Sequence, residues 1–530
     1  LAATAWLVVA TSSMAQDNLA VKRGEEFYDP QVVQTVHLDI SEENLNLMWR
    51  SLPKRIYVPA TFRWRDITVD NVGVRYKGNS SSNPNQRHKR SFLIKFSEYE
   101  KTQRFLGLRR ASLDNGIQFG SVFSEPIMTE ILRDQGVTTH RCNYARLMLN
   151  GEYHGVYVNV ERLDQTFVEN RLPDPNGALF KVDLGGPGAN LQYLGQTAKV
   201  YLNAIEPKSK TARDEAERLV ELIRVINQSP RGKLAEPLSS QMDVDEFLKV
   251  MSVMLFSGAF DQLTGWNAHN YYLYYDRDGG KWRYMPWDLD VGFCEIAFGR
   301  IRVLDDWHAG WPVPGRSPNP LLEGIVADPQ LLQRYRATAK QVLEKYFEPD
   351  RLSRVLDAKY QLIKFDLASD PFPHQRATNP GDQDYDDIVS SMKTFMKRRY
   401  KTARAQLESP GERPQVVRGP PRGPQPKPGP ASPDAPSELT VSRASSNAVE
   451  LTWKDNAKGE IGTILQRAMG KDGEFRNHIG QPGGEVTSAT DPRVMPGRTY
   501  RYRVYSIHRS PTGQKGTGVS NEVTVKVGGE

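Results

Sequence analysis

Asp288 and Asp290 stand one residue apart in MPWDLDVGF, directly after the aromatic run NYYLYYDRDGGKWRY. Carboxylates are seldom buried among apolar neighbours without a cation, a cap or a hydrogen-bonded turn. Two such groups suit Mg2+ or Mn2+, with water and phosphate completing the coordination shell. The competing structural reading makes Asp288 a cap for the turn entered through Pro286 and puts Asp290 in an ordinary ion pair. Upstream, Asp261 follows the apolar stretch SVMLFSGAF, and Asn270 opens the aromatic run. A carboxylate beside a metal-phosphate site can orient or deprotonate an acceptor hydroxyl. Its structural alternative is a hydrogen bond to the amides of the following loop.

These groups need elements to bring them together. The turn around Asp276 to Lys281 lies between aromatic strands, which predicts a hairpin with Tyr275 opposite Trp282 and Asn270 opposite Trp287. Asn270 and Asp288 could then share a site. A chain that stays extended past the hairpin would also point Asp288 and Asp290 to one side. Before the hairpin, VVQTVHLDI, DITVDNVGVRYKG and SFLIKF read as strands. SEENLNLMWR reads as a helix capped by Ser41, and SVFSEPIMTEILRDQGV as a helix with Ser124 as cap and Gly136 as stop. Asn150-Gly151 between alternating apolar runs predicts a second hairpin. Helices are predicted in ARDEAERLVELIRVINQS and VDEFLKVMSVMLFSGAF, then through most of the chain to residue 408. Strands first and helices later predict an α+β fold with segregated lobes rather than a doubly wound sheet.

The net charge of +7 comes from 70 Lys and Arg against 63 Asp and Glu, a small excess on 530 residues. With no zinc-finger spacing, stacking module or basic helix, nucleic acid is not an expected partner. Residues 1–15 resemble a partial signal peptide, and no apolar run is long enough to span a bilayer. The expected location is therefore secreted, periplasmic or at the cell surface, with no transmembrane anchor. Cys142 and Cys294 could be joined or remain two buried thiols. Residues 409–436 form a Pro-rich linker, with ten prolines between 410 and 436, too many for a packed helix or sheet.

Beyond the linker, AVELTW with Trp453, the segment from Met495 to Val504 and GVSNEVTV are similar to a fibronectin type III domain over 437–528. That resemblance implies a β-sandwich used for adhesion, spacing or polymer contact. The ordered set VGVRYKGNSS, KRSFLIKF, LMLNGEYHGVYVNVERLD, LFKVD, FDQLTGWNAHNYYLYY and MPWDLDVGF resembles the CotH kinase family, the spore coat protein H-like group of divergent secreted kinases. The resemblance places a divergent protein-kinase-like domain at 30–408. It implies ATP, Mg2+ or Mn2+, and phosphorylation of hydroxyl groups, most simply Ser or Thr, on an exported or cell-surface protein.

On this sequence the resemblance makes Asp261 the catalytic Asp and Asp288 the principal metal ligand. Asn270 and Asp290 are supporting metal or cofactor groups. Lys95 in SFLIKF is the expected donor-phosphate lysine, with Glu130 as its ion-pair partner and Glu125 as the alternative. Arg75, Lys77 and Gly78 in VRYKGNSS could enclose phosphate in a polar turn, which a plain β-turn explains equally well. Lys181 and Glu161 are further family-like positions without assigned roles. A non-catalytic extracellular assembly or carbohydrate-binding protein on a kinase-like scaffold is the alternative, and its partner would be a polysaccharide or assembly component.

Overall fold

The computed structural model describes residues 23–414 and 428–528, apart from 79–81, 83, 85–88, 117–120, 184, 187, 267, 298–300, 315–318, 373–375, 377, 380, 431, 446–447, 461, 471–472, 474, 483–485, 492–493, 495–496 and 511–512. The leader expected at 1–15 and half of the Pro-rich linker expected at 409–436 lie outside the described residues. The chain divides into two units at Val416/Val417.

Seven strands of the first unit close into a barrel: β1 (Gln34–Asp39), β2 (Val58–Trp64), β3 (Ile67–Lys77), β4 (Ser91–Lys95), β5 (Arg110–Asp114), β6 (Cys142–Leu149) and β7 (Glu152–Val160). Their order is β1-β2-β3-β4-β5-β7-β6, and a parallel pairing of Gln34 to Leu38 with Ala145 to Leu149 closes it. Alternation does the sorting. In β1 every second residue is buried, so Val36 and Leu38 join Phe62, Trp64, Val74, Ile94 and Leu147 inside. Phe105 packs edge-on against Phe27, Phe62 and Trp64 at 4.7–5.7 Å between centroids, the offset geometry aromatic quadrupoles favour. The β6–β7 turn is the expected hairpin, with Asn150 at φ 52° and Gly151 at φ 84°.

Helix α1 (Glu42–Arg50) has the predicted cap, Ser41 Oγ accepting from the Asn44 amide at 3.2 Å. Helix α2 (Ser124–Asp134) departs from expectation at its start. Ser124 is its first helical residue rather than its cap, and the Ser121 hydroxyl, three residues earlier, takes the Phe123 amide at 3.3 Å. Gly136 ends the segment at φ 72° as predicted.

A second sheet, ordered β11-β10-β8-β9, contains β8 (Ala178–Val182), β9 (Glu206–Pro207), β10 (Tyr271–Asp276) and β11 (Lys281–Pro286). The predicted hairpin is present in the predicted register, with Tyr275 opposite Trp282 and Tyr271 opposite Pro286. Five longer helices surround this sheet's core: α3 (Ala216–Gln228), α4 (Val244–Ser257), α5 (Pro329–Tyr346), α6 (Pro349–Ala368) and α7 (Tyr385–Glu408). Asp243 caps α4 through the Glu246 amide at 3.1 Å, and the helix is apolar nearly all round because it runs through the interior. Gly258 stops it at φ 72°. A Cβ there would meet Val303 Cγ1 at 2.7 Å, so both backbone and packing require glycine.

Among the described residues of the second unit the regular elements are strands. One sheet holds β12 (Ser437–Ala444), β13 (Val449–Lys454) and β15 (Ser488–Asp491); the other is built around β14 (Gly462–Met469) and β16 (Thr499–Ser510). Leu439, Leu451 and Trp453 of the first share one core with Leu465, Tyr500, Tyr502 and Val504 of the second. Buried Asp491 ties them together, accepting from Tyr502 at 2.6 Å and pairing with Arg467 at 3.0 Å.

Candidate functional site

A cleft of about 1140 Å3 opens in the first unit, lined by barrel strands β3–β5 and β7 on one side and by the second sheet with its flanking loops on the other. Arg75, Lys77, Gly78, Lys95, Lys181, Asp261, Asn270, Asp288 and Asp290 all line it. Residues up to 215 positions apart in sequence, Arg75 and Asp290, thus meet in one concavity, the first requirement for shared chemistry.

Asp261 follows α4 by four residues, in the loop that Gly258 turns toward the hairpin. His269 Nε2 and Asn270 Nδ2 each lie 3.2 Å from its Oδ2. Asn270 itself has φ 56°, a conformation Asn tolerates better than most side chains, and its carbonyl accepts from the Trp287 amide at 2.9 Å. That bond carries the hairpin register one pair further and brings Asn270 beside the carboxylate turn, as expected.

The turn itself is not extended. The strand stops at Pro286, Asp288 adopts φ 61°, and Leu289-Asp290 forms a turn. Strand alternation is therefore not what places both acids in the cleft. The turn is pinned instead: Gln262 Nε2 donates to the Trp287 carbonyl at 2.8 Å and the Ser121 amide to the Asp290 carbonyl at 3.2 Å. Buried Arg376 donates to the carbonyls of Gly292 and Phe293, both at 2.9 Å.

Glu130 is a correction. It does not line the cleft; it pairs with Lys359 of α6 at 2.6 Å. Lys95 pairs with Glu98 at 2.5 Å instead. Five residues of helix rotate a side chain by about 140°, so Glu125 and Glu130 cannot face the same neighbour. Glu125, the alternative, is the acid of α2 that lines the cleft, buried and 3.0 Å from His140 Nε2. Glu161 is structural, paired with Arg141 at 2.5 Å and Arg171 at 3.2 Å. Both cysteines are buried free thiols.

The electrostatics follow from enclosure. Burial pushes Asp288 up to about 6, with Lys77 opposing and Asp114 and Glu125 adding to the rise. Asp290 is held well above the usual carboxylate range by burial and then by Asp288. Burial alone would lower Lys77, but Asp114, its ion-pair partner, and Asp288 outweigh it and raise its ammonium. The side-chain oxygens of Asp288 and Asp290 make no hydrogen bond among the described residues, where no three His, Cys, Asp or Glu groups form a ready-made metal cage. Two acids without donors fit a cation that arrives already bearing water and phosphate, which asks the protein for only one or two carboxylates.

The sequence profile described as CotH kinase protein matches residues 74–403, more than half of the chain. The chain belongs to the CotH kinase protein family. It is 24% identical over 328 residues to the inner spore coat protein H of Bacillus subtilis (strain 168), covering 61% of this chain and 86% of that relative. Among solved structures, one described as "Myokine structure" is 23% identical, covering 18% of this chain and 100% of that one. Another, "Solution structure of the forth FNIII domain of human", is 22% identical and covers 19% and 82%. Both have a TM-score of 0.16, too low to argue from.

Proposed function

We propose that this CotH family member transfers the γ-phosphoryl group of ATP, with Mg2+ or Mn2+, to a Ser or Thr hydroxyl of an exported protein. The observation that carries the reading is the convergence, in one cleft, of Asp261 with the paired acids Asp288 and Asp290 and with Lys77. Asp288 and Asp290 would hold the metal, which when bound neutralises charge on the donor phosphates. Asp261, fixed by His269 and Asn270, orients the acceptor hydroxyl and takes its proton as the new P–O bond forms and the β–γ bridge breaks. Lys77, Arg75 and Lys95 supply positive charge along the phosphate chain. In this reading residues 30–408 are a kinase-like domain and 437–528 a fibronectin type III-like sandwich on a Pro-rich spacer. The protein acts outside the cytoplasm.

Purified protein incubated with labelled ATP, divalent metal and candidate envelope or coat proteins tests this. Asp261→Asn should lower kcat by about 10²-fold or more with little change in KM for ATP. Transfer that is equal in wild type and variant rules the assignment out. The relative's name as a coat protein favours a second reading, non-catalytic assembly. Retained partner capture by an Asp261→Asn, Asp288→Asn double variant, with no turnover by the wild type, would favour it.

A further inference from the structure

Arg162 leaves β7 directly after Glu161 and lines the cleft. Its guanidinium carbon lies 4.5 Å from the centroid of Trp287, the residue immediately before Asp288. Lys77 Nζ approaches the same ring at 5.3 Å, and Trp287 meets Tyr272 edge-on at 5.8 Å. Lys181 Nζ is 5.7 Å from the Tyr272 ring. Three cations are thus gathered around two aromatic faces at the end of the cleft that holds the paired acids.

They differ in what neutralises them. Lys77 is paired with Asp114 and Lys181 with Asp183. Arg162 has no ion pair among the described residues, and its Nε is buried without a hydrogen-bond partner. Glu161, its neighbour in sequence, is committed to Arg141 and Arg171. Asp114, Asp164 and Asp183 act on its charge without closing an ion pair, so the half-buried guanidinium keeps donors to spare, and its planar fork matches two phosphate oxygens at once. The aromatic face stabilises the cation and restricts it sideways while leaving the in-plane donors available.

We infer that Arg162 is a donor-phosphate residue of this cleft, holding the polyphosphate chain of a nucleoside triphosphate beside the metal-binding acids. The inference rests on the phosphotransfer reading and adds to it the cation that discriminates a triphosphate from its nucleoside. Lys77 and Lys181, each tied to a carboxylate, contribute field; Arg162 contributes bidentate contact.

Calorimetric titration of the full chain with Mg-ATP, tripolyphosphate and adenosine decides it, using Arg162→Gln, Arg162→Lys and the surface control Arg404→Gln, with folding checked first by thermal melting. Wild type and control should bind both phosphate ligands. Arg162→Gln should weaken Mg-ATP and tripolyphosphate by about tenfold or more while leaving adenosine unchanged, and Arg162→Lys should fall between, because charge returns without the fork. Unchanged phosphate affinity in Arg162→Gln overturns the inference. So does an equal loss for adenosine, which would mean that Arg162 acts by packing Trp287. If Arg162→Gln fails to fold, Arg162→Lys decides alone: wild-type phosphate affinity overturns the inference, and a selective loss supports it. A wild type that binds neither phosphate ligand overturns both this inference and the phosphotransfer reading; loss confined to Arg162 variants leaves that reading standing.

Discussion

Asp288 and Asp290 stand half-buried in one turn with nothing donating to them among the described residues, an arrangement that penalises their charged forms. The sign is fixed by their raised values. Native protein holds these protons more tightly than unfolded chain, so the favourable contribution is complete below the unfolded value of about 3.9 and is lost as pH rises, for Asp288 through about 6. Asp290→Asn should therefore stabilise metal-free protein by about 1–3 kcal/mol at pH 7.5 and by clearly less at pH 4.5, read from urea midpoints. An equal gain at both values would contradict this origin. In the proposed reaction the same protons compete with the cation, so apparent Mn2+ affinity should fall as pH drops from 7.5 to 5.5. Asp288→Asn should flatten that profile.

Among the elements, the hairpin from Tyr271 to Pro286 was legible because aromatic alternation and a Gly-Gly turn both point to one register, and Asn270 followed from it. The turn after it was not legible. Asp288 lies in left-handed backbone held by Gln262, Ser121 and Arg376, partners that no local pattern announces. Glu130 misled for a related reason: a helix has several faces, and α6, which claims Glu130 through Lys359, lies more than 200 residues away. Arg162 sat unremarked beside a conspicuous Glu161, since only the folded sheet brings Trp287 to it. Arg376 should matter as much as any group in the cleft. Arg376→Met removes the cation paired with Asp382, leaving that carboxylate only the Asn379 amide among the described residues, and strips two interior carbonyls of their donor; it should cost about 3–5 kcal/mol in denaturant unfolding of the first unit. Gly258→Ala, forced to φ 72° against Val303, should lose about 1–3 kcal/mol by the same assay.

At the scale of the whole molecule, the chain divides between Val416 and Val417 into two compact units, within the proline-rich composition that marks a linker, and each has its own apolar core. A chain ending at Val416 should therefore keep its melting temperature and, in the proposed reaction, its turnover on a free peptide acceptor. It should lose turnover only on acceptors that the C-terminal unit holds nearby, where a tether raises local concentration. Equal loss on both kinds of acceptor would tie the second unit to the cleft's own chemistry. The barrel has a further consequence, in time rather than space. Its last seam joins Gln34 to Leu38 with Ala145 to Leu149, so the first of the barrel's strands in chain order waits for more than a hundred further residues before its second edge is covered. Closure over so long a loop is slow, and until then β1 offers an open backbone edge to any neighbouring chain. Chaperoning that delays collapse until β6 has emerged would protect this protein more than any stabilising substitution inside the finished barrel.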